Sequence, residues 1–368
     1  MKNNKIHFSL FIFHLNIKNM ANCKLYIALL SAPFIAACSG DDLEQYAQRP
    51  DNAGEIGFVL KTENVTRTYN MENPHPATMG VYGYHDLSEV NMGRDGFNIF
   101  SNTQVNYADG VWSYEKKKYW ADYSEYNSFD FFGYMPRVTS ASFVYSGDNS
   151  YTLSFTATLD ENAMQTGENA PLICNLPNHK DFPGDIVRFD MDQTLTGFQL
   201  KFKLGTKMSK VRDFEITKVE VSGDIPFKGR VSRTYTYDGG TWTQEPILWN
   251  ISPMTGIKNM SFEVPNEGGS LTLSDDTFHE WGKPFYAIPV TYFTPKIKVT
   301  YNVKVDTDGT ITRENVTNEI VFNKENFANL KKQALMPGKL NDLEIAIVPD
   351  HLYVLADADQ YIGYLVME

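Results

Sequence analysis

The sequence has few of the residues on which metal proteins and disulfide-linked proteins depend. Its 368 residues include only 3 cysteines and 7 histidines. The cysteines, at positions 23, 38 and 174, are too few and too scattered for a disulfide framework. No two cysteines and no two histidines have the close spacing of a zinc-binding pair. We therefore expect no metal site and no cofactor, and we expect Cys174 to be a small buried side chain.

Positive charge is also scarce. The chain carries 45 acidic against 33 basic residues, a net charge of −12, and no run of basic residues is longer than the lysines at 116–118. An acidic surface repels phosphate backbones, so nucleic acid is excluded as a partner. Neither a GxxxxGK[ST] phosphate loop nor a GxSxG nucleophile motif occurs. We expect no enzyme, although a β-sandwich hydrolase with two carboxylates from distant strands stays open.

No apolar run is long enough to cross a membrane as a helix, which takes about 20 residues. The clearest run, residues 25–37, follows Lys24 and has the length of a signal-peptide hydrophobic region. Residues 1–37 contain four lysines and no acidic residue, and they are the predicted signal peptide. Because residues 20–38 form a complete signal by themselves, residues 1–19 are left open as an upstream extension.

The end of this run, Ile35-Ala-Ala-Cys38, resembles the lipobox of bacterial lipoproteins. In that motif small residues precede a cysteine whose thiol receives a diacylglycerol, so the resemblance makes Cys38 the lipidation site, with palmitate among its acyl chains. Three acidic residues in 39–44 resemble the surface-export signal of lipoproteins from gut and oral Gram-negative anaerobes. We expect an exported lipoprotein held at the cell outer membrane and facing outward. An ordinary secretory signal is the alternative.

After a polar tether at 38–54, short runs of alternating apolar and polar residues recur between turn residues. Ile56, Phe58 and Leu60 form the first such run, and 21 tyrosines and 24 phenylalanines favour strands. The pattern predicts an all-β, sandwich-type fold. The turn-rich residues 175–184 suggest a boundary between an N-terminal sandwich, 55–184, and a C-terminal sandwich, 185–368. Only residues 324–335 have a helical pattern.

Four phrases in a fixed order resemble the fimbrillins, the lipoprotein pilins of type V pili. They are a hairpin ending in Gly-Val-Trp at 106–112, a Tyr-Trp pair at 118–120, an aromatic strand at 129–136, and a Pro-Gly-Lys turn leading into a strand at 335–345. The resemblance implies two tandem transthyretin-like β-sandwich domains. It also implies a structural subunit of a cell-surface pilus, or fimbrium, that serves cell adhesion. Other pilin subunits, and a ligand on a host or bacterial surface, are the implied partners.

In that family a proteolytic cut after a basic residue frees the first strand, and a strand from a neighbouring subunit takes its place by β-strand addition. Carried to this sequence, the first strand is residues 55–62, the cut follows Arg67, and Arg49 is the alternative. The donor strand would come from the apolar C-terminus, at Tyr361, Ile362, Tyr364, Leu365, Val366 and Met367.

A monomeric surface lipoprotein that binds glycans is the competing interpretation. It requires tryptophan and tyrosine side chains exposed on one face. The aromatic residues of the N-terminal half stand instead in adjacent predicted strands, where cross-strand pairs stabilise a core. We therefore expect these five side chains to be buried: Trp112, Trp120, Phe129, Phe131 and Tyr134.

Overall fold

The computed structural model describes residues 54–61, 77–94, 96–181, 183–205, 212–274, 276–290, 293–305, 310–322 and 335–347. The predicted signal peptide, its extension and nearly all of the tether lie outside these ranges. The helix predicted at 324–335 also lies outside them, except for Leu335.

More than half of the described residues lie in strands. The strands are β1 (Phe58–Lys61), β2 (Thr78–His85), β3 (Asn98–Ala108), β4 (Val111–Ser113), β5 (Phe129–Met135), β6 (Ser142–Gly147), β7 (Ser150–Thr158), β8 (Leu172–Cys174), β9 (Asn178–Lys180), β10 (Val187–Gln193), β11 (Thr196–Leu204), β12 (Arg212–Pro226), β13 (Lys228–Asp238), β14 (Thr241–Gln244), β15 (Leu248–Asn250), β16 (Ile257–Glu263), β17 (Leu271–Leu273), β18 (His279–Glu280), β19 (Phe285–Ala287), β20 (Lys296–Val305), β21 (Ile311–Val321) and β22 (Leu340–Ile347). Helix is limited, within the described ranges, to α1 (Glu161–Thr166) and a 3-10 turn (Trp120–Tyr123). The all-β prediction is confirmed.

Two sheets enclose an N-terminal core. The first sheet runs in the order β1-β10-β8-β5-β2-β3-β4, with β9 also paired to β5. The second runs β14-β13-β7-β6, with β15 also paired to β13. Their facing side chains form one cluster of buried residues. Aromatic rings of the two sheets pack against each other. The ring centroid of Phe132 in β5 lies 5.3 Å from that of Tyr235 in β13, and the centroid of Tyr134 in β5 lies 4.5 Å from that of Phe155 in β7.

Two further sheets enclose a C-terminal core. The third sheet runs β18-β11-β19, with β22 on β11, and the fourth runs β16-β12-β20-β21, with β17 on β12. The alternating residues Phe198, Leu200 and Phe202 of β11 are fully buried in this cluster. Helix α1 adds Ala163 and Met164 to the same core.

The two cores are interlaced along the chain. Residues of α1 pack in the C-terminal core, although the helix precedes residue 184. Strands β10 and β13, which follow residue 184, bury Phe189, Val231 and Tyr235 in the N-terminal core. The buried clusters therefore share elements across residues 184 and 185, and two tandem domains with limits 55–184 and 185–368 stay a prediction. Strand β13 belongs to the N-terminal core because it pairs with β7, which lies much earlier in the sequence.

The hairpin predicted at 106–112 is confirmed, and a second hairpin joins β13 to β14. Strands β3 and β4 join at Asp109 and Gly110, whose φ angles of 50° and 80° are the positive values of a tight hairpin turn. Strands β13 and β14 join through Gly239 and Gly240, at 57° and 93°.

The aromatic residues expected in the core are buried. Phe129, Phe131 and Tyr134 are wholly inaccessible. Trp112 and Trp120 are 7% and 4% exposed, so this set does not form a sugar-binding platform. The Tyr134 ring lies across Gly80 of the neighbouring strand, where a Cβ would stand only 2.2 Å from the ring. A glycine is required there because the aromatic ring occupies the space of a side chain.

Candidate functional site

The first described strand, β1, is added to the sheet in an unusual direction. It stands at the end of the strand order and pairs with β10 in parallel, with Phe58 opposite Val187 and Leu60 opposite Phe189. Only β22, parallel to β11, shares this direction within the described part of the chain. Parallel neighbours are not joined by a hairpin, so no short turn connects β1 to β10. Strand β1 is therefore held in the sheet by its backbone hydrogen bonds and its side-chain contacts.

The residues just before β1 are held by a second neighbour. The Ile56 N–H donates to the Lys118 carbonyl oxygen at 2.9 Å, and the Trp120 N–H donates to the Gly54 oxygen at 2.6 Å. The Tyr114 hydroxyl donates to the Ile56 oxygen at 2.9 Å. Burial raises the pKa of this phenol, so the hydroxyl stays protonated and keeps its role as donor. Residues 54–56 thus pair with 118–120, and β1 then pairs with β10.

An ion pair strengthens this first half. Glu55 Oε1 lies 2.6 Å from Lys117 Nζ, and the Glu55 side chain is only 4% exposed. Burial of a carboxylate to this degree is unfavourable without a paired cation, so loss of Lys117 would destabilise this part of the fold.

The side chains of this segment alternate strictly between core and surface. Ile56, Phe58 and Leu60 are 0%, 3% and 4% exposed, while Gly57 and Val59 between them are half-buried. Predicted alternation at these three positions is confirmed. Burial of each such side chain stabilises by about 1.5–3 kcal/mol, so the segment contributes several kcal/mol to the N-terminal core.

Phe58 sits in an aromatic cage. Its ring centroid lies 5.3 Å from that of Phe100 and 5.6 Å from that of Tyr114, both edge-on, and 6.0 Å from that of Phe189, with the planes stacked. These rings come from β3, from the residue after β4, and from β10. We use the name β1 groove for the surface that β1 covers, which is formed by Phe100, Tyr114, Phe189 and the β10 backbone. The cage makes the middle position of the groove specific for a planar ring.

The structure places only part of the predicted site. Residues 55–61 of the predicted first strand are described, and the regular strand begins at Phe58. Cys38, Arg49 and Arg67 lie outside the described residues, and so do Tyr361, Ile362, Tyr364, Leu365, Val366 and Met367. Lipidation of the cysteine, proteolytic cleavage at the arginines and donation of the C-terminal strand therefore stay predictions.

A buried polar cluster joins the two sheets of the N-terminal core, and the sequence analysis did not find it. His179 Nδ1 lies 2.6 Å from Asp130 Oδ1 across the β9–β5 pair. Trp242 of the second sheet donates its Nε1–H to the same oxygen at 2.8 Å. The residues are 49 and 112 positions apart from Asp130, so no local spacing reveals them. The cluster ties one sheet to the other.

This cluster gives the N-terminal core a pH dependence. The hydrogen bond to Asp130 raises the pKa of His179 above its ordinary 6.5, with a smaller contribution from Asp181. A histidine whose pKa is higher in the folded than in the unfolded protein stabilises the fold. This stabilisation is complete at pH values below the pKa of the unfolded state, and it is lost as the pH rises through the pKa of the folded state. We expect the free energy of unfolding to fall as pH increases above about 6.5.

Denaturant titrations between about pH 6 and about pH 9 measure this effect. His179→Gln is the control, because it keeps a polar side chain and removes the titration. The difference in stability between the parent and His179→Gln should shrink toward high pH. A difference that is constant with pH would contradict the assignment.

The described residues contain neither a metal-binding cluster nor a membrane-spanning helix. No group of three or more His, Cys, Asp or Glu side chains is arranged to hold a metal ion within the described ranges. Among the same residues, no helix has the length and apolar character needed to cross a membrane. Cys174 is fully buried, as expected, with its Sγ 3.0 Å from the Tyr235 hydroxyl.

Comparison with known proteins gives distant structural likenesses only. No protein-family model and no curated protein matches the chain. A candidate cell adhesion protein from Bacteroides uniformis is 12% identical, with a TM-score of 0.40 over 80% of this chain and 93% of that one. One from Bacteroides ovatus is 14% identical, with 0.39 over 79% and 91%. One from Bacteroides eggerthii is 13% identical, with 0.36 over 81% and 88%. Likenesses as distant as these carry no argument about function.

Proposed function

We propose that this protein is a lipid-anchored structural subunit of a cell-surface fimbria, that it serves adhesion, and that it assembles by exchange of β1 for a strand of another subunit. One observation carries the proposal. Strand β1 is added in parallel at the end of a sheet, and the segment 55–61 buries Ile56, Phe58 and Leu60 against residues distant in sequence. Such a strand is replaceable by another of the same pattern without change elsewhere in the fold.

If β1 leaves its groove, binding of another strand there is energetically more favourable than an empty groove. Without β1, the β10 backbone would lose its β1 partner along residues 187–190, and the rings around Phe58 would be exposed to water. Buried backbone groups need hydrogen-bond partners, and exposed sheet edges attract other strands. Addition of a strand satisfies both the backbone and the apolar surface at once.

The remaining parts of the proposal come from the sequence. Cys38 attaches the chain to the outer membrane by its lipid, and a cut after Arg67 separates β1 from the chain that follows. A cut after Arg49, the alternative, would release only the tether. The partners are other pilin subunits and a ligand on a host or bacterial surface. The chain has no catalytic role and uses no cofactor in this proposal.

Controlled cleavage tests the proposal. A trypsin-like protease should cut after Arg67 and leave β1 bound, because its pairing does not depend on the covalent link. On incubation at high concentration, the cut protein should form a ladder of oligomers that resists mild detergent. Arg67→Ala, or deletion of residues 361–368, should each abolish the ladder and leave a folded monomer. Arg94→Ala, at an exposed arginine, is the matched control and should leave the ladder intact.

Gel filtration and detergent gels give the readout. If the cut protein stays monomeric at high concentration, polymerisation by strand exchange fails as the function of this chain.

A further inference from the structure

Strand β6 stands at one end of the second sheet and has an open edge. Among the described residues it pairs with β7 alone. Its register with β7 is regular from Ser142 to Tyr145 and shifts only at the hairpin turn that follows. An open strand edge attracts further strands, and natural sheets protect such edges with charged side chains, proline or bulges. Residues 142–146 read Ser-Phe-Val-Tyr-Ser, so this edge has no charge and no proline.

Other end strands of the described sheets are charged. The charged residues are Lys258 and Glu263 of β16, Arg313, Glu314 and Glu319 of β21, and Asp342 and Glu344 of β22. Strand β6 instead presents Val144, which is 47% exposed, at the middle of its open stretch. An apolar side chain at an unprotected edge indicates a place where another strand is added.

We propose that β6 joins two copies of this chain, which pair in antiparallel direction about a two-fold axis at Val144. Val144 then faces its own copy, Phe143 faces Tyr145 of the second molecule, and Ser142 faces Ser146. The pairing leaves the β1 groove untouched and needs no cleavage, so it goes beyond the proposed function.

The two-fold axis fixes the register. An axis perpendicular to the sheet joins inner face to inner face and outer face to outer face. It must therefore pass through a residue and not between two, because the side-chain period of a strand is two. Val144 is the central residue of 142–146, and an axis there pairs all five residues. An axis at Phe143 or at Tyr145 would pair only three of them with each other.

The inner face of β6 already pairs aromatic rings across strands. The Phe143 ring is stacked on that of Tyr151 in β7, with centroids 5.8 Å apart, and the Tyr145 ring is edge-on to the same ring at 5.4 Å. Tyr145 is only half-buried. In the proposed register Phe143 and Tyr145 of the two molecules pair twice, so the aromatic row of one core continues into the next. Cross-strand aromatic pairs of this kind stabilise a sheet.

The outer face of β6 carries a row of hydroxyl groups. Ser142 Oγ lies 3.0 Å from Ser154 Oγ, and Ser146 Oγ lies 2.6 Å from Thr152 Oγ1. Thr152 continues the row to Thr234 of β13 at 2.8 Å. Contacts between Ser142 and Ser146 of the two molecules would extend this row by the same kind of hydrogen bond. The side chains of β6 thus match those of β6 itself on both faces, which favours a second copy over a charged partner.

The contact is small, so we expect weak pairing that depends on concentration. Stable protein–protein interfaces bury about 1,600 Å², which is more than a strand of five residues provides. Attachment of many copies to one membrane through Cys38, or their alignment in a fibre, would supply a high local concentration.

Cysteine crosslinking tests the register in the uncut full chain. Cys23→Ser and Cys38→Ser leave Cys174, which is wholly buried, as the one natural cysteine. In this background Val144→Cys should form a dimer with the thiol oxidant diamide. Directly opposite Cα atoms of antiparallel strands are about 4.5–5.5 Å apart, and a disulfide spans about 4.4–6.8 Å.

Ser146→Cys is the matched control for this crosslink. Ser146 is also exposed on β6, but its two copies would stand about 13 Å apart along the strands. The Ser146→Cys protein should therefore crosslink far more slowly than the Val144→Cys protein. A mixture of Ser142→Cys and Ser146→Cys proteins should crosslink about tenfold faster than either alone, because these positions face each other in the proposed register.

Exchange of charge at Val144 gives a second test, measured by sedimentation equilibrium at high concentration. Val144→Lys and Val144→Glu should each weaken association about fivefold or more, because like charges then face each other. An equimolar mixture of the two should associate at least as well as the parent. Val90→Lys, at another exposed valine, is the control and should associate as the parent does. Denaturant unfolding checks that each variant keeps the fold.

Three results would overturn the inference. They are a parent that sediments as a monomer at the highest concentration, crosslinking of Val144→Cys no faster than that of Ser146→Cys, and association of the lysine and glutamate variants equal to that of the parent. None of these results bears on the ladder test, because the ladder depends on cleavage and on exchange of β1.

Discussion

Cys38→Ala should move this protein from the membrane fraction to the soluble fraction and abolish its labelling by a fatty-acid analogue. Cys38 is the cysteine that directly follows the apolar run at 25–37, and its thiol is the predicted acceptor of the lipid. Cys174 cannot substitute for it, because its side chain is wholly buried and burial raises the pKa of its thiol. The expected change is from nearly all of the protein labelled to none.

Cys23→Ala is the matched control, since Cys23 stands before the apolar run and should not affect labelling. Metabolic labelling followed by gel separation gives the result directly. Label that persists in the Cys38→Ala protein would refute lipidation at this site.

Phe58→Ala has the largest expected effect on stability. The side chain is 3% exposed and in contact with three rings, so its truncation loses apolar burial and leaves a cavity in the cage. Truncation of a buried phenylalanine costs about 3–5 kcal/mol. The loss of stability should be greatest in the β1–β10 pairing, because β1 is the end strand of its sheet.

Hydrogen exchange of the β10 amides, together with denaturant unfolding, measures both parts of this effect. Val59→Ala is the control, because Val59 is only half-buried and lies on the opposite face of the same strand. Its cost should be far smaller. If Val59→Ala is as damaging as Phe58→Ala, the contribution of β1 does not come from the groove.

The sequence predicts well what depends on neighbouring residues. Alternation identified Ile56, Phe58 and Leu60 as one buried face, and the hairpin predicted at 106–112 turns at Asp109 and Gly110. Both are local signals, because side-chain period and turn conformation are set within a few residues.

Features that depend on distant partners were not predictable. Nothing local in β13 indicates that it pairs with β7, and nothing near Asp130 indicates that His179 and Trp242 share its oxygen. Helix α1 was also missed, although Asp160 accepts a hydrogen bond from the Ala163 N–H at its start. Its six residues are too few to show a helical period.

The two parallel additions meet at one point of the chain. Strand β1 is added to β10, β22 is added to β11, and only Thr194 and Leu195 separate β10 from β11. Both linking residues are wholly buried, and the Trp249 Nε1–H donates to the Thr194 oxygen at 2.8 Å. In the proposed fimbria, tension would enter each subunit along β10 and leave along β11. Both ladders would then be loaded in shear, so that their hydrogen bonds resist together instead of opening one after another, and the fibre would transmit a pull through this short buried link.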